Sequence, residues 1–168
     1  DNTVKIWQWN HQTNQYEYFR TFYGHTGRVR AVVFSNDGKL IASGSVDKTV
    51  RVWNVETGKC QKILQGHTAQ VNSVSFSEDN QFIVSCSGDC TVKIWEIRAN
   101  KCQTLAGNTS WVLSVAYIPH SNYSIVSASD DGTLRLWQRV NLQDYQEQIL
   151  LENSTSIWSI ACSIDGKL

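Results

Sequence analysis

The 168 residues carry no net charge, since 15 Lys and Arg balance 15 Asp and Glu. That excludes nucleic-acid binding driven by bulk charge, and it excludes an acidic tail. Charged side chains make up only 18 % of the chain, so much of its surface must be Ser, Thr, Asn and Gln. No apolar run reaches the roughly 18 residues a membrane-spanning helix needs, so no membrane partner is expected. No basic-then-apolar leader opens the stretch, and no secretion signal is expected in it. Methionine is absent and proline occurs once, at Pro119.

Tryptophan, by contrast, is abundant, with seven copies. Ser, Val, Ile, Thr and Trp favour strands. The tryptophans also mark an internal repeat, which takes precedence over any other pattern. Gly24 to Trp53 reads GHTGRVRAVVFSNDGKLIASGSVDKTVRVW, and Gly66 to Trp95 reads GHTAQVNSVSFSEDNQFIVSCSGDCTVKIW. In both copies the His-to-Asp spacing is 22 and the His-to-Trp spacing is 28. Each copy predicts four short strands joined by tight turns, with Asp37-Gly38 as a hairpin signature. The third copy begins at Gly107-Asn108, where Asn replaces His. A fourth starts at Asn153 with a strand expected over 157–162. Asp1 to Trp7 matches Asp47 to Trp53, so the stretch starts and stops within a repeat. The two ends are expected to be parts of one unit, with Asn153 pairing with Asp1 and Trp7. Trp9 to Gln15 reads as polar and turn-like, followed by a strand over 16–22.

The five cysteines are Cys60, Cys86, Cys90, Cys102 and Cys162. The number is odd, and Cys60 and Cys102 each follow a repeat Trp by seven residues. Their phase therefore makes them strand positions, reduced in an intracellular protein. Cys86 and Cys90 form a CxxxC around Asp89, a weak metal signal; no metal and no cofactor are expected.

Trp53, Trp95 and Trp137 lie 42 residues apart. Repeats of this length, with GH near the start and Trp at the end, resemble WD40 repeats. The evenness of the copies resembles bacterial and cyanobacterial members. The closing dipeptide departs from Trp-Asp: it is Trp53-Asn54, Trp95-Glu96 and Trp137-Gln138. The resemblance implies an all-β propeller of four-stranded antiparallel blades over residues 1–168. Complete blades would span about 29–64, 71–105 and 112–151, with partial ones at 1–22 and 157–168.

His25, Ser43, Asp47 and Trp53 invite a catalytic interpretation, and the set recurs as His67, Ser85, Asp89 and Trp95. The resemblance implies a structural network within each blade instead. Repetition agrees, because an enzyme needs one site whereas a structural device is needed in every blade. In the third copy the set becomes Asn108, Ser127, Asp131 and Trp137, and a weaker or water-rebuilt network is expected there. Thr49, Thr91 and Thr133 are expected to satisfy backbone groups of the turn. His11 and His120 are isolated in loops, so no separate acid/base cluster supports an enzyme.

Function is then expected where the copies differ. The resemblance puts the rim of the central channel at Arg28, Arg30 and Val46, at Gln70, Asn72 and Gly88, and at Trp111, Leu113 and Asp130. Ser156 and Trp158 follow from the fourth copy. Trp and Arg are common interface anchors, and an Arg pair can clamp a carboxylate or phosphate. Tyr16, Tyr18 and Phe19 form a second aromatic edge. The expected role is a non-catalytic scaffold or sensor binding a protein or peptide in the cytoplasm. The alternative is an assembly module whose open strand edges pair with another copy, a homo-oligomer closing a ring of about eight blades.

Overall fold

The computed structural model describes residues 1–141, 144–163 and 165. It is all-β. Three four-stranded antiparallel sheets follow one another along the chain, preceded by a two-stranded sheet. The two-stranded sheet is β1 (Val4–Asn10) and β2 (Gln15–Phe22). The first complete sheet holds β3 (Val29–Phe34), β4 (Leu40–Ser45), β5 (Thr49–Asn54) and β6 (Cys60–Gln65). The second holds β7 (Val71–Phe76), β8 (Phe82–Ser87), β9 (Thr91–Glu96) and β10 (Lys101–Ala106). The third holds β11 (Val112–Tyr117), β12 (Ile125–Ser129), β13 (Thr133–Arg139) and β14 (Tyr145–Glu152).

Turn chemistry decides where each strand stops. Ser35 Oγ donates to Asp37 Oδ1 at 2.7 Å, and the Leu40 amide donates to Ser35 Oγ at 2.9 Å, which closes the β3–β4 hairpin. Ser77, Asp79 and Phe82 repeat this at the same distances. The turn before the third strand puts one residue in the left-handed region: Lys48 at φ 71°, Cys90 at φ 66° and Gly132 at φ 82°. Only Gly132 has no side chain, and a Cβ there would meet the Asn153 carbonyl oxygen at 2.1 Å.

The core lies between sheets. The second strand of each four-stranded sheet is buried on both faces, as in β4 and β8. Val71, Val74 and Phe76 of the second sheet pack on Ala42, Val50 and Val52 of the first. Val112, Val115 and Tyr117 of the third pack on Val84, Cys86 and Val92 of the second. Each closing Trp reaches back toward the preceding unit: Trp53 joins Val4 and Phe22, with ring centroids of Phe22 and Trp53 5.7 Å apart. Burying one such aliphatic side chain stabilises by about 1.5–3 kcal/mol.

Three expectations change. β1 runs on to Asn10, so Trp9 is a strand residue whose ring packs edge-on against Tyr16 with centroids 4.9 Å apart. Residues 157–162 form no strand, because no described residue pairs with them in a ladder. The Ile157 amide instead donates to the Ser129 carbonyl at 3.1 Å. The Asn153 amide donates to the Gly132 carbonyl at 2.8 Å, so this residue docks on the third sheet and not on Asp1 or Trp7. Trp7 is 59 % exposed, whereas Trp53 is 1 % exposed.

The first two complete sheets pack together at Gly44, where a Cβ would lie 2.6 Å from Val71 Cγ1. Val71 is β-branched and fully buried, so it has nowhere to go. Gly44→Ala is expected to lower unfolding free energy by about 1–3 kcal/mol through overpacking. Chemical denaturation would measure this, and Val71→Ala in the Gly44→Ala background should recover part of the loss.

Candidate functional site

Each of the first two complete sheets contains one chain of hydrogen bonds running from its interior to its end. The Trp53 indole N–H donates to Ser43 Oγ at 2.8 Å. The Ser43 hydroxyl is then left to donate to His25 Nε2 at 2.7 Å, and the His25 Nδ1–H to Asp47 Oδ2, also at 2.7 Å. Asp47 accepts further from the Thr26 amide at 3.0 Å, the Thr49 amide at 3.0 Å and the Thr49 hydroxyl at 2.6 Å. Thr49 thus serves the carboxylate, with its hydroxyl as well as its backbone. In the second sheet Trp95, Ser85, His67 and Asp89 are linked by three bonds of 2.8 Å.

Burial alone would raise the Asp47 carboxyl, but the hydrogen bonds from Thr49, His25 and Thr26 outweigh it and hold the pKa at about 2. Burial lowers the pKa of His25 and of His67 more than their aspartates raise it, so both rings are neutral near pH 7. Asp, His and Ser in line resemble a nucleophile relay. Ser43 and Ser85 are fully buried, however, and each Oγ already accepts an indole N–H. No substrate carbonyl can reach them, so the geometry satisfies polar groups and does not activate a nucleophile.

The third sheet solves the same problem with a charge. Asn108 is shorter than His, and Arg135 of β13 turns into the space. Its Nη1 donates to Asn108 Oδ1 at 2.8 Å and to Asp131 Oδ2 at 3.0 Å, and it also contacts the Thr133 hydroxyl. Its Nε donates to Glu147 Oε1 of β14 at 2.6 Å. Burial raises the Asp131 carboxyl, yet Thr133, Thr109 and Arg135 together hold it well below the usual carboxylate range. Among the described residues the Ser127 hydroxyl keeps only its bond from the Trp137 indole, at 2.9 Å. Arg135 and Glu147 escape sequence reading. The usable signal was the loss of His from the third copy together with an acid on its fourth strand, since the basic position of the third strand is shared by Arg51, Lys93 and Arg135.

The residues expected at the rim share one backbone bond that recurs within each complete sheet. The Val46 amide donates to the Arg28 carbonyl at 2.9 Å, the Gly88 amide to the Gln70 carbonyl at 3.0 Å and the Asp130 amide to the Trp111 carbonyl at 2.8 Å. Arg30, Asn72 and Leu113 each sit at a register shift in the first strand. Such a bulge re-aims a side chain. Arg28 and Arg30 are exposed, Trp111 is 51 % exposed and Trp158 73 %. Asn72 differs: it is buried, and its Nδ2 donates to the Val112 carbonyl of the next sheet at 2.8 Å. It joins two sheets and is not free on the rim. Asp130 accepts from Ser110 Oγ at 3.1 Å and from the Ser156 hydroxyl, which holds the segment bearing Trp158 to the turn between β12 and β13.

A family profile described as WD domain, G-beta repeat matches residues 16–54, 58–96 and 99–138. Among curated proteins, the chain is 41 % identical over 59 residues to pre-mRNA-processing factor 17 of Saccharomyces cerevisiae, covering 35 % of this chain and 12 % of that protein. It is 52 % identical over 42 residues to a ribosome biogenesis protein BOP1 homolog of Arabidopsis thaliana, covering 25 % of this chain and 6 % of that protein. It is 40 % identical over 73 residues to the nuclear distribution protein PAC1 of Gibberella zeae, covering 39 % and 15 %. The matched stretch is thus a small fraction of each relative's length. These matches correct the cytoplasmic expectation: relatives named for pre-mRNA processing and ribosome biogenesis are nuclear or nucleolar.

Ser43→Ala would orphan two buried groups, the Trp53 indole N–H and His25 Nε2, at about 1–3 kcal/mol each. Ser127→Ala would orphan only the Trp137 indole, and its smaller loss should be visible by chemical denaturation of the two variants. Acid should act on the first two complete sheets. A His with a lowered folded-state pKa contributes stability that is fully present above the unfolded value of about 6.5 and is lost as pH falls through the folded value. Wild-type unfolding free energy should therefore decline from pH 7.5 to 5.5. In the His25→Gln, His67→Gln protein that decline should largely vanish, leaving the carboxylate-linked loss at lower pH.

Proposed function

Because the chain belongs to the WD40 repeat family, we propose that it serves as a protein-interaction scaffold that binds a protein or peptide on the rim carrying Arg28, Arg30, Gln70, Trp111, Leu113, Asp130 and Trp158. Propeller domains of this family are non-catalytic scaffolds. The Asp–His–Ser–Trp chains hold the sheets and take no part in binding. The observation that carries the proposal is the repeated amide-to-carbonyl bond that joins Arg28 to Val46, Gln70 to Gly88 and Trp111 to Asp130. It brings equivalent backbone positions to one end of all three sheets, yet the side chains there are unlike. A surface kept only for folding has no need of two exposed indoles, which are costly to leave in water and valuable in an interface.

The relatives' names support a role in nuclear assemblies such as those of pre-mRNA processing or ribosome biogenesis. The likeness to bacterial and cyanobacterial repeats rests on repeat evenness alone, since the relatives named above are fungal and plant proteins. Affinity capture from a nuclear extract would test the face. Arg28→Ala with Trp111→Ala should lose the partners that the wild type retains, and unchanged recovery would move the site off this rim.

A further inference from the structure

We infer that the partner segment is acidic, and that it seats its carboxylates, or the phosphate of a modified side chain, on the end of the sheet formed by β3–β6. This rests on the rim proposed above and gives it a chemistry. Three exposed cations meet there: Arg28 just before β3, Arg30 on its bulge and Lys48 in the β4–β5 turn. The bond from the Val46 amide to the Arg28 carbonyl ties that turn to the strand, so the three share one end of the sheet. Among the described residues none of them has an ion-pair partner. The nearby Asp47 carboxylate cannot compensate outward, because its side chain is buried and its two oxygens take four donors.

Two exposed lysines elsewhere each face a carboxylate. Lys39 lies 3.9 Å from Asp37 at the opposite end of the same sheet, and Lys5 lies 3.5 Å from Asp1. In a chain of zero net charge, three unpaired cations at one end are a local field and not a generally basic surface. A guanidinium fork accepts carboxylate and phosphate oxygens in pairs. Along the rim the chemistry then changes, through neutral Gln70 and Gly88 to the indoles of Trp111 and Trp158 beside Asp130. A single-stranded nucleic acid calls for cations along its whole track, with aromatic stacking between them. Here the cations stop after one sheet, and an acid stands beside the indoles. That order fits a peptide with acidic residues at one end and an apolar or aromatic residue at the other.

The probes are labelled peptides of alternating Glu and Gly ending in Phe, the Gln counterpart, and a counterpart with phosphoserine, read by fluorescence anisotropy. The Glu or phosphoserine peptide should bind and the Gln peptide should not; comparing the first two identifies the source of the anion. Arg28→Ser with Arg30→Ser should weaken binding about tenfold or more, the weight of one charge-assisted contact. Lys39→Ser with Lys59→Ser removes the same charge at the other end and should leave binding unchanged. The inference is overturned if neither anionic peptide binds, if the Gln peptide binds equally, or if the Lys variant loses as much. It also falls if a uridine oligonucleotide binds more tightly at the same arginines. If captured partners depend on Trp111 but not on Arg28 and Arg30, the rim stands and its acidic chemistry falls; if they depend on neither, the rim itself falls.

Discussion

A buried indole N–H has no water to turn to, and that constraint organises each complete sheet. Trp53, Trp95 and Trp137 close their sheets and pack toward the preceding unit, so their N–H groups end in the interior. Each needs an acceptor there, and a serine on the second strand supplies it. In the first two complete sheets the serine proton then needs an acceptor of its own, the imidazole needs a fixed tautomer, and the chain of demands ends on an aspartate in the turn. One apolar packing decision thereby dictates four residues spread over some 28 positions of sequence.

The third sheet shows that the demand is for satisfied groups and not for particular residues. With Asn108 in place of His, the space fills with Arg135, and a neutral imidazole gives way to a guanidinium held by Asp131 and Glu147. A buried cation tolerates this only because it is surrounded by acceptors. Among the described residues, the cost is a serine hydroxyl with a single bond and an Asn108 Nδ2 with no partner. The networks of the first two complete sheets therefore each contain a histidine that protonation can disrupt, while the network of the third contains none.

Much of this was legible in the sequence, for a physical reason. His25, Ser43, Asp47 and Trp53 meet within one repeat, so fixed spacing carries their positions, and period-two strands bounded by Asp-Gly and similar turns mark the sheets. What spacing could not carry were contacts that depend on volume or cross from one unit to the next. Arg135 turns inward only because Asn108 leaves room and because β14 offers Glu147. Asn72 stands at a rim position by number, yet its amide reaches across to Val112. Residues 157–162 have strand composition but no neighbour among the described residues to pair with, and composition alone makes no ladder.

Near-identical units stacked side by side face an ambiguity of order, since a sheet that fits one neighbour fits them all. Gly44 removes part of it. The second sheet has Cys86 at the corresponding position, packed in the same cluster as Val112, whereas Val71 presses on the bare backbone of Gly44. A sheet displaced by one repeat, within a chain or between two chains exchanging sheets, would set Val71 against the Cys86 thiol instead of the bare Gly44 backbone it packs on. Small mismatches of this kind act as keys, so the repeats can stay alike enough to stack and still assemble in a single order.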